Sequence, residues 1–229
     1  APLPPLVAVR PIALPKHPLP AEEKTAGITR FAFIAYGDTR GAAAADATTP
    51  HPAHVRVIEA MLDTIKARAR TRFPVRFVLQ TGDAVFTGVR GEYWNLSYTP
   101  EVDRITAGAD VPYYLTAGNH DVAAGAPAAA ARPLGLHNML AAFSSIIPPE
   151  GSPRRLNGYP TYAFGFGNLF VIAFDSNIAS DQVQFAWVAD QLARLDRVRF
   201  PHVAIFVHHP PYSSGPHGGA TLEPETTAM

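Results

Sequence analysis

Four β-rich runs in this chain stop abruptly at short polar clusters, and that recurrence restricts the possible folds more than any other feature. The clusters read Tyr36-Gly37-Asp38-Thr39-Arg40-Gly41, Thr81-Gly82-Asp83, Ala117-Gly118-Asn119-His120-Asp121 and Val207-His208-His209-Pro210. In an open α/β sheet the ligand site lies outside the carboxyl ends of the strands, so clusters far apart in sequence converge there. Glycine lets the backbone turn sharply and approach a ligand closely, while Asp, Asn and His offer oxygen or imidazole nitrogen to a divalent metal. One Gly-Asp pair after a strand is an ordinary turn or helix cap. Four clusters, all at strand ends, point instead to one shared site.

The candidate strands are Arg30 to Tyr36, Val75 to Thr81, Val111 to Thr116, Tyr162 to Phe174 and His202 to Val207, the fourth read as a hairpin broken near Gly165 and Gly167. Between the first two, Val55, Ile58, Leu62, Ile65 and Ala69 recur at helical spacing with charged residues on the other faces. A second amphipathic helix starts at Asp181, where Gln184 three residues later matches a capping box, and runs through Phe185, Val188, Leu192 and Leu195. Strands alternating with surface helices predict a layered α/β domain. The alanine-rich stretches Ala42 to Ala47 and Ala123 to Ala131 read as loops or short helices. Residues 1–28 read as a proline-rich arm, extended over its first twenty residues, and residues 29–229 as the domain.

Composition narrows the chemistry. The chain has no cysteine, which excludes a disulfide framework, a thiol nucleophile and Cys-ligated zinc, so any metal must sit on His, Asp, Glu or Asn. Its 19 Lys+Arg balance 19 Asp+Glu without a long basic run, leaving no electrostatic signal for nucleic acid or a membrane surface. No Gly-x-Ser-x-Gly elbow is present, which disfavours a serine hydrolase. No stretch reaches the ~20 consecutive apolar residues that a bilayer span needs. A first residue other than methionine leaves room for a removed targeting peptide and favours a periplasmic or secreted protein.

The order Asp38, Gly82-Asp83, Gly118-Asn119-His120-Asp121 and His208-x-Pro210 resembles the calcineurin-like metallophosphoesterase family, including its purple acid phosphatase branch, from about Arg30 to Tyr212. The resemblance implies an α/β/β/α architecture, a layered β-sandwich flanked by helices. It implies hydrolysis of a phosphate monoester or diester of a small molecule by metal-activated water. It also implies up to two divalent or trivalent ions (Fe, Mn or Zn), with Asp38 on the first, Asp83 bridging both, and Asn119 and His208 on the second. In that scheme His120 stabilises charge or protonates the leaving oxygen, and Asp121 orients its imidazole. Two metals about 4 Å apart clamp the phosphoryl oxygens and lower the pKa of a water between them.

Three features depart from the family pattern. Arg40 stands where an Asp-x-His block supplies histidine, and a guanidinium cannot ligate a cation. Phe86 stands where the purple acid phosphatases supply a tyrosine. The downstream Gly-His-x-His block is missing, which reads as a chain that stops short of it and leaves only His217. A second reading therefore stays open, a degenerate fold that binds or regulates, and in a third Arg40 clamps phosphate bidentately in place of one metal. Among the remaining candidates, His209 is assigned to the core or beside the site rather than among the ligands. His51 and His54 are assigned a solvated or capping role at a helix start. Asn177 is read as either a pocket or a turn residue, and Tyr93, Trp94 and Tyr98 as either a stacking surface or core.

Overall fold

A computed structural model of the chain describes residues 7–40, 49–122 and 128–212, the side chains of residues 128–131 aside. Ala42 to Ala47, the stretch from Ala123 to residue 127, and His217 with the rest of the C-terminal segment lie outside the described residues.

Two three-stranded sheets form the centre. The first contains β1 (Ala32–Tyr36), β2 (Val75–Gln80) and β3 (Tyr113–Leu115), all parallel and in that spatial order. The second contains β4 (Tyr162–Phe166), β5 (Leu169–Ala173) and β6 (His202–Phe206), with β4 and β5 an antiparallel hairpin and β6 parallel to β5. The hairpin turns at Gly167, whose φ of 58° lies in the left-handed region, whereas Gly165 stays inside β4, paired with Phe170.

The sheets meet face to face through aromatic rings. Tyr114 stacks on Phe164 at 4.1 Å, and Phe77 meets Phe164 edge-on at 5.4 Å. Two hydrogen bonds sew the sheets together near the ends of β3 and β5: the Tyr162 hydroxyl donates to the Leu115 carbonyl at 2.9 Å, and the Thr116 hydroxyl to that of Phe174 at 2.7 Å. Both donors are buried, so each bond also removes the cost of an unpaired hydroxyl in an apolar layer.

Helices cover the outer faces, which fits the expected α/β/β/α layering. The helix α1 (Pro52–Arg68) connects β1 to β2 and buries His54, Ile58, Met61 and Ile65. After β2 come a π-helical turn (Tyr93–Tyr98), the short α2 (Thr99–Asp103) and a second π-helical turn (Arg104–Gly108), then α3 (Asn119–Val122) and α4 (Ala128–Phe143). The helix α5 (Gln182–Ala193) lies on the second sheet, where Val188 and Leu195 share a core with Phe170, Ile172 and Phe174. Its start is capped as the sequence suggests, because the Asp181 carboxylate accepts the Gln184 amide at 2.9 Å. The Gln184 side chain does not close the capping box; it is buried and bonds Thr161 and the Asp175 backbone instead. No helix among the described residues is long and apolar enough to cross a membrane.

The described part of the arm is docked. Ile12 is 1% exposed and its amide donates to the Ala142 carbonyl, while Arg10 pairs with Asp103 at 2.8 Å. The alanine-rich stretch expected as a loop or short helix contains the start of α4, a 16-residue helix with Pro133 inside it. Gly135 lets α4 approach α3, since a Cβ there would sit 2.3 Å from the Val122 carbonyl oxygen.

Candidate metal centre

The carboxyl ends of β1, β2 and β6 and the N-terminus of α3 meet at one point. One ligand atom from each of Asp38, Asp83 and His208 lies within 4.8 Å of the others. Asn119 joins them, its Oδ1 being 3.0 Å from His208 Nε2. All four metal candidates from the sequence are therefore brought together.

Backbone geometry accounts for the convergence. Asp38 and Asp83 both hold φ of 55°, a left-handed conformation that Asp tolerates better than most residues. The Asp38 amide donates to the Gly82 carbonyl at 3.1 Å, which locks the β1 exit onto the β2 exit. Gly118 fits the remaining space only because it has no side chain: a Cβ there would lie 2.1 Å from the Asp83 amide nitrogen and 2.4 Å from its Oδ1. The sequence motif is thus a close-packing requirement between two strand exits.

The buried Asp83 carboxylate organises the site. Its Oδ1 accepts the His120 amide at 3.0 Å and lies 3.4 Å from His208 Nε2, while its Oδ2 accepts Arg40 Nε at 2.8 Å. His208 Nδ1 donates to the Thr81 carbonyl at 3.0 Å, so that nitrogen carries the proton. Nε2 then faces two acceptors, Asp83 Oδ1 and Asn119 Oδ1, with its lone pair. A carboxylate oxygen, an amide oxygen and an imidazole nitrogen crowded together, with the imidazole fixed from behind by a carbonyl, is a donor set suited to a divalent cation. The described residues fit one such ion. On the other side of Asp83, Arg40 brings a cation of its own to Oδ2, and Phe86 offers no side-chain donor.

His120 stands next to this cluster, half-buried. Its Nδ1 donates to the Phe86 carbonyl at 2.7 Å and its ring packs against the Phe86 ring at 5.7 Å. Nε2 is the ring nitrogen left with a lone pair.

Asp121 requires a correction. Instead of orienting the His120 imidazole, its fully buried carboxylate turns inward and accepts the amides of Ala84 at 2.8 Å, Val85 at 3.2 Å and Gly118 at 2.9 Å. Burial, and then the negative charge of Asp83, push its pKa up to about 8, against the three amides that favour its charged form. Asp121 braces the loop after β2 against α3, and the Phe86 carbonyl takes the orienting role. A backbone carbonyl carries no residue signature, so only the fold reveals it.

The other candidates separate cleanly. His209 is half-buried and bonds the Ser176 hydroxyl at 2.9 Å, beside the site. Asn177 is a turn residue, its amide and side chain both donating to Asp175 Oδ1. Trp94 and Tyr98 are at most 1% exposed and Tyr93 is 6% exposed, so they are core. His51 precedes α1 and is exposed, with no side-chain capping bond. His54 overturns its solvated assignment: it is 3% exposed and lies between the rings of Tyr36 and Tyr98 at 6.0 and 5.5 Å. Burial, together with the nearby His51, lowers its pKa to about 4. Its Nε2 lies 3.4 Å from the Tyr36 hydroxyl, which continues through Tyr113 to Tyr98 at 2.6 and 2.7 Å. The sequence reading missed this tyrosine network, because its members come from β1, β3 and two helical segments.

No curated protein matches the chain. The model of the calcineurin-like phosphoesterase family matches residues 33–227, a span that includes every strand exit described above, and the chain belongs to that family.

Proposed function

We propose that the chain hydrolyses phosphate esters of small molecules with the help of a divalent metal held by Asp38, Asp83, Asn119 and His208. Members of the family are usually hydrolases that use divalent metal ions. The observation that carries the reading is the meeting of His208 Nε2 with Asn119 Oδ1 and Asp83 Oδ1 at 3.0 and 3.4 Å. When bound, such an ion polarises a phosphoryl oxygen and lowers the pKa of water.

The chain's own residues supply the rest. The Thr81 carbonyl holds His208 in the tautomer whose Nε2 lone pair is presented to the centre. The Phe86 carbonyl holds the proton on His120 Nδ1, so protonation of the ring places a second proton on Nε2. That proton can pass to the leaving oxygen of the ester. Arg40 neutralises Asp83 Oδ2 and adds positive charge where a phosphate dianion would bind.

The same arginine favours a second reading. With Nε on Asp83, Arg40 occupies the side of the carboxylate that a second cation would use, as expected of a site retained for binding phosphate without turnover. Hydrolysis of p-nitrophenyl phosphate and bis(p-nitrophenyl) phosphate by the Mn²⁺-, Zn²⁺- and Fe²⁺-loaded chain separates the two. Turnover that a chelator removes and added metal restores supports the phosphoesterase. Phosphate binding with no turnover under any metal supports the binding module.

A further inference from the structure

A cavity of about 200 Å³ opens directly beside Asp38. Its walls include Tyr36 from β1 and His51, Ala53, His54 and Val57 from the start of α1. Because Asp38 is itself part of the wall, a group attached to a phosphorus held at the metal centre would lie beside this cavity.

The wall chemistry determines what fits. Ala53 and Val57 are apolar, and Tyr36 adds an aromatic ring. His54 stays uncharged at neutral pH because it is buried between two tyrosine rings. Among the described residues no lysine or arginine lines the cavity, and Asp38 places a carboxylate at its edge. A second anionic group on the substrate would meet that carboxylate with only the exposed His51 imidazole of the wall to offset it. The volume is also below the roughly 300 Å³ at which pockets begin to enclose drug-sized ligands, so it suits one ring or a short alkyl chain.

We infer that this cavity receives the organic group of the ester and makes the site selective for uncharged, single-ring or short-chain phosphate esters. This rests on the phosphoesterase reading and adds the substrate class to it. Val57, 40% exposed on the surface of α1, is the position from which the cavity is most readily altered without disturbing the core.

The test compares three non-hydrolysable probes, methylphosphonate, phenylphosphonate and phosphonoacetate, as competitive inhibitors of p-nitrophenyl phosphate hydrolysis by the metal-loaded chain. Small differences in an apolar pocket are worth about tenfold or more, so phenylphosphonate should bind about tenfold more tightly than methylphosphonate. Phosphonoacetate should show no such gain. Val57→Trp, which fills the cavity, should bring the phenyl preference close to one. Val57→Ala, which widens it, should move the preference from phenylphosphonate toward 1-naphthylphosphonate. Thermal denaturation of both variants establishes that they are folded. A phenyl preference that survives Val57→Trp, or phosphonoacetate as the tightest probe, would overturn the inference while leaving the phosphoesterase intact. A chain that neither hydrolyses the reporter ester nor binds any probe would overturn both.

Discussion

Two clusters of ionisable side chains lie on either side of the β1 exit, and they are built on opposite terms. In the tyrosine–histidine cluster the hydroxyls of Tyr36, Tyr98 and Tyr113 bond one another in a chain, and His54 is stacked between rings with Nε2 toward Tyr36. Every ring there carries its ordinary neutral charge, and burial makes the ionised forms costly: Tyr98 and Tyr113 are held well above the usual tyrosine pKa, and His54 falls to about 4. At the strand exits the terms are reversed. With the His208 proton on Nδ1, Asp83 Oδ1, Asn119 Oδ1 and His208 Nε2 face one another as three acceptors, Asp83 Oδ1 also accepting the His120 amide. The contrast separates polar groups that bond one another from polar groups that could hold a metal ion. Residue type alone does not distinguish them, since both clusters contain histidine beside oxygen.

The largest effect that can break this contrast is catalytic. His120→Ala should depress turnover by about 10² to 10⁴-fold on an alkyl phosphate while metal content stays near that of the parent. The loss should be smaller on p-nitrophenyl phosphate, whose leaving oxygen needs little protonation. Elemental analysis alongside the kinetics checks the assignment, because loss of the ion would make His120 a ligand.

A second prediction concerns acid. His54 has a folded pKa of about 4 against an ordinary value of 6.5, so the unfolded chain takes up its proton first as pH falls. The stability that neutral His54 contributes is therefore present above pH 6.5 and is lost between there and pH 4, by up to about 3 kcal/mol. His54→Phe keeps a ring in the stack and removes the proton, so its urea midpoint should fall less steeply across that window. Identical slopes in the two proteins would place His54 in solvent after all.

The smallest effect sharpens the contrast. Tyr113→Phe removes the hydroxyl that bridges Tyr36 and Tyr98 and leaves the half-buried Tyr36 and the buried Tyr98 each short of a bond, a cost of about 1–3 kcal/mol by denaturant titration. Metal affinity should not change, because no side chain of the cluster is among the four ligand candidates. A large drop in affinity would show that the two regions are one.

How much of this could be read from the residues depended on the scale of the interaction. The strands were legible because β-branched and aromatic runs ended at turn residues, and the shared site followed because parallel strands place their carboxyl ends together. The helical segment from Tyr93 to Gly108 was not, although Trp94, Tyr98, Val102 and Ile105 recur at helical spacing and are all buried. Pro100 lies inside it, at the start of α2 and between the two π-helical turns, a position that residue type alone does not suggest for proline. Asp121 was misread for a different reason. Within Gly118-Asn119-His120-Asp121 successive side chains leave α3 in different directions, and only the position of the Ala84 and Val85 amides shows that the last one points inward.

The claim on which the rest depends is that Asp38, Asp83, Asn119 and His208 hold one divalent cation. Titration calorimetry of this 229-residue chain with Mn²⁺ or Zn²⁺ tests it directly. One equivalent should bind, His208→Ala should abolish that binding, and His120→Ala should retain it. Two equivalents bound at full occupancy, or one equivalent that survives His208→Ala, would contradict the account.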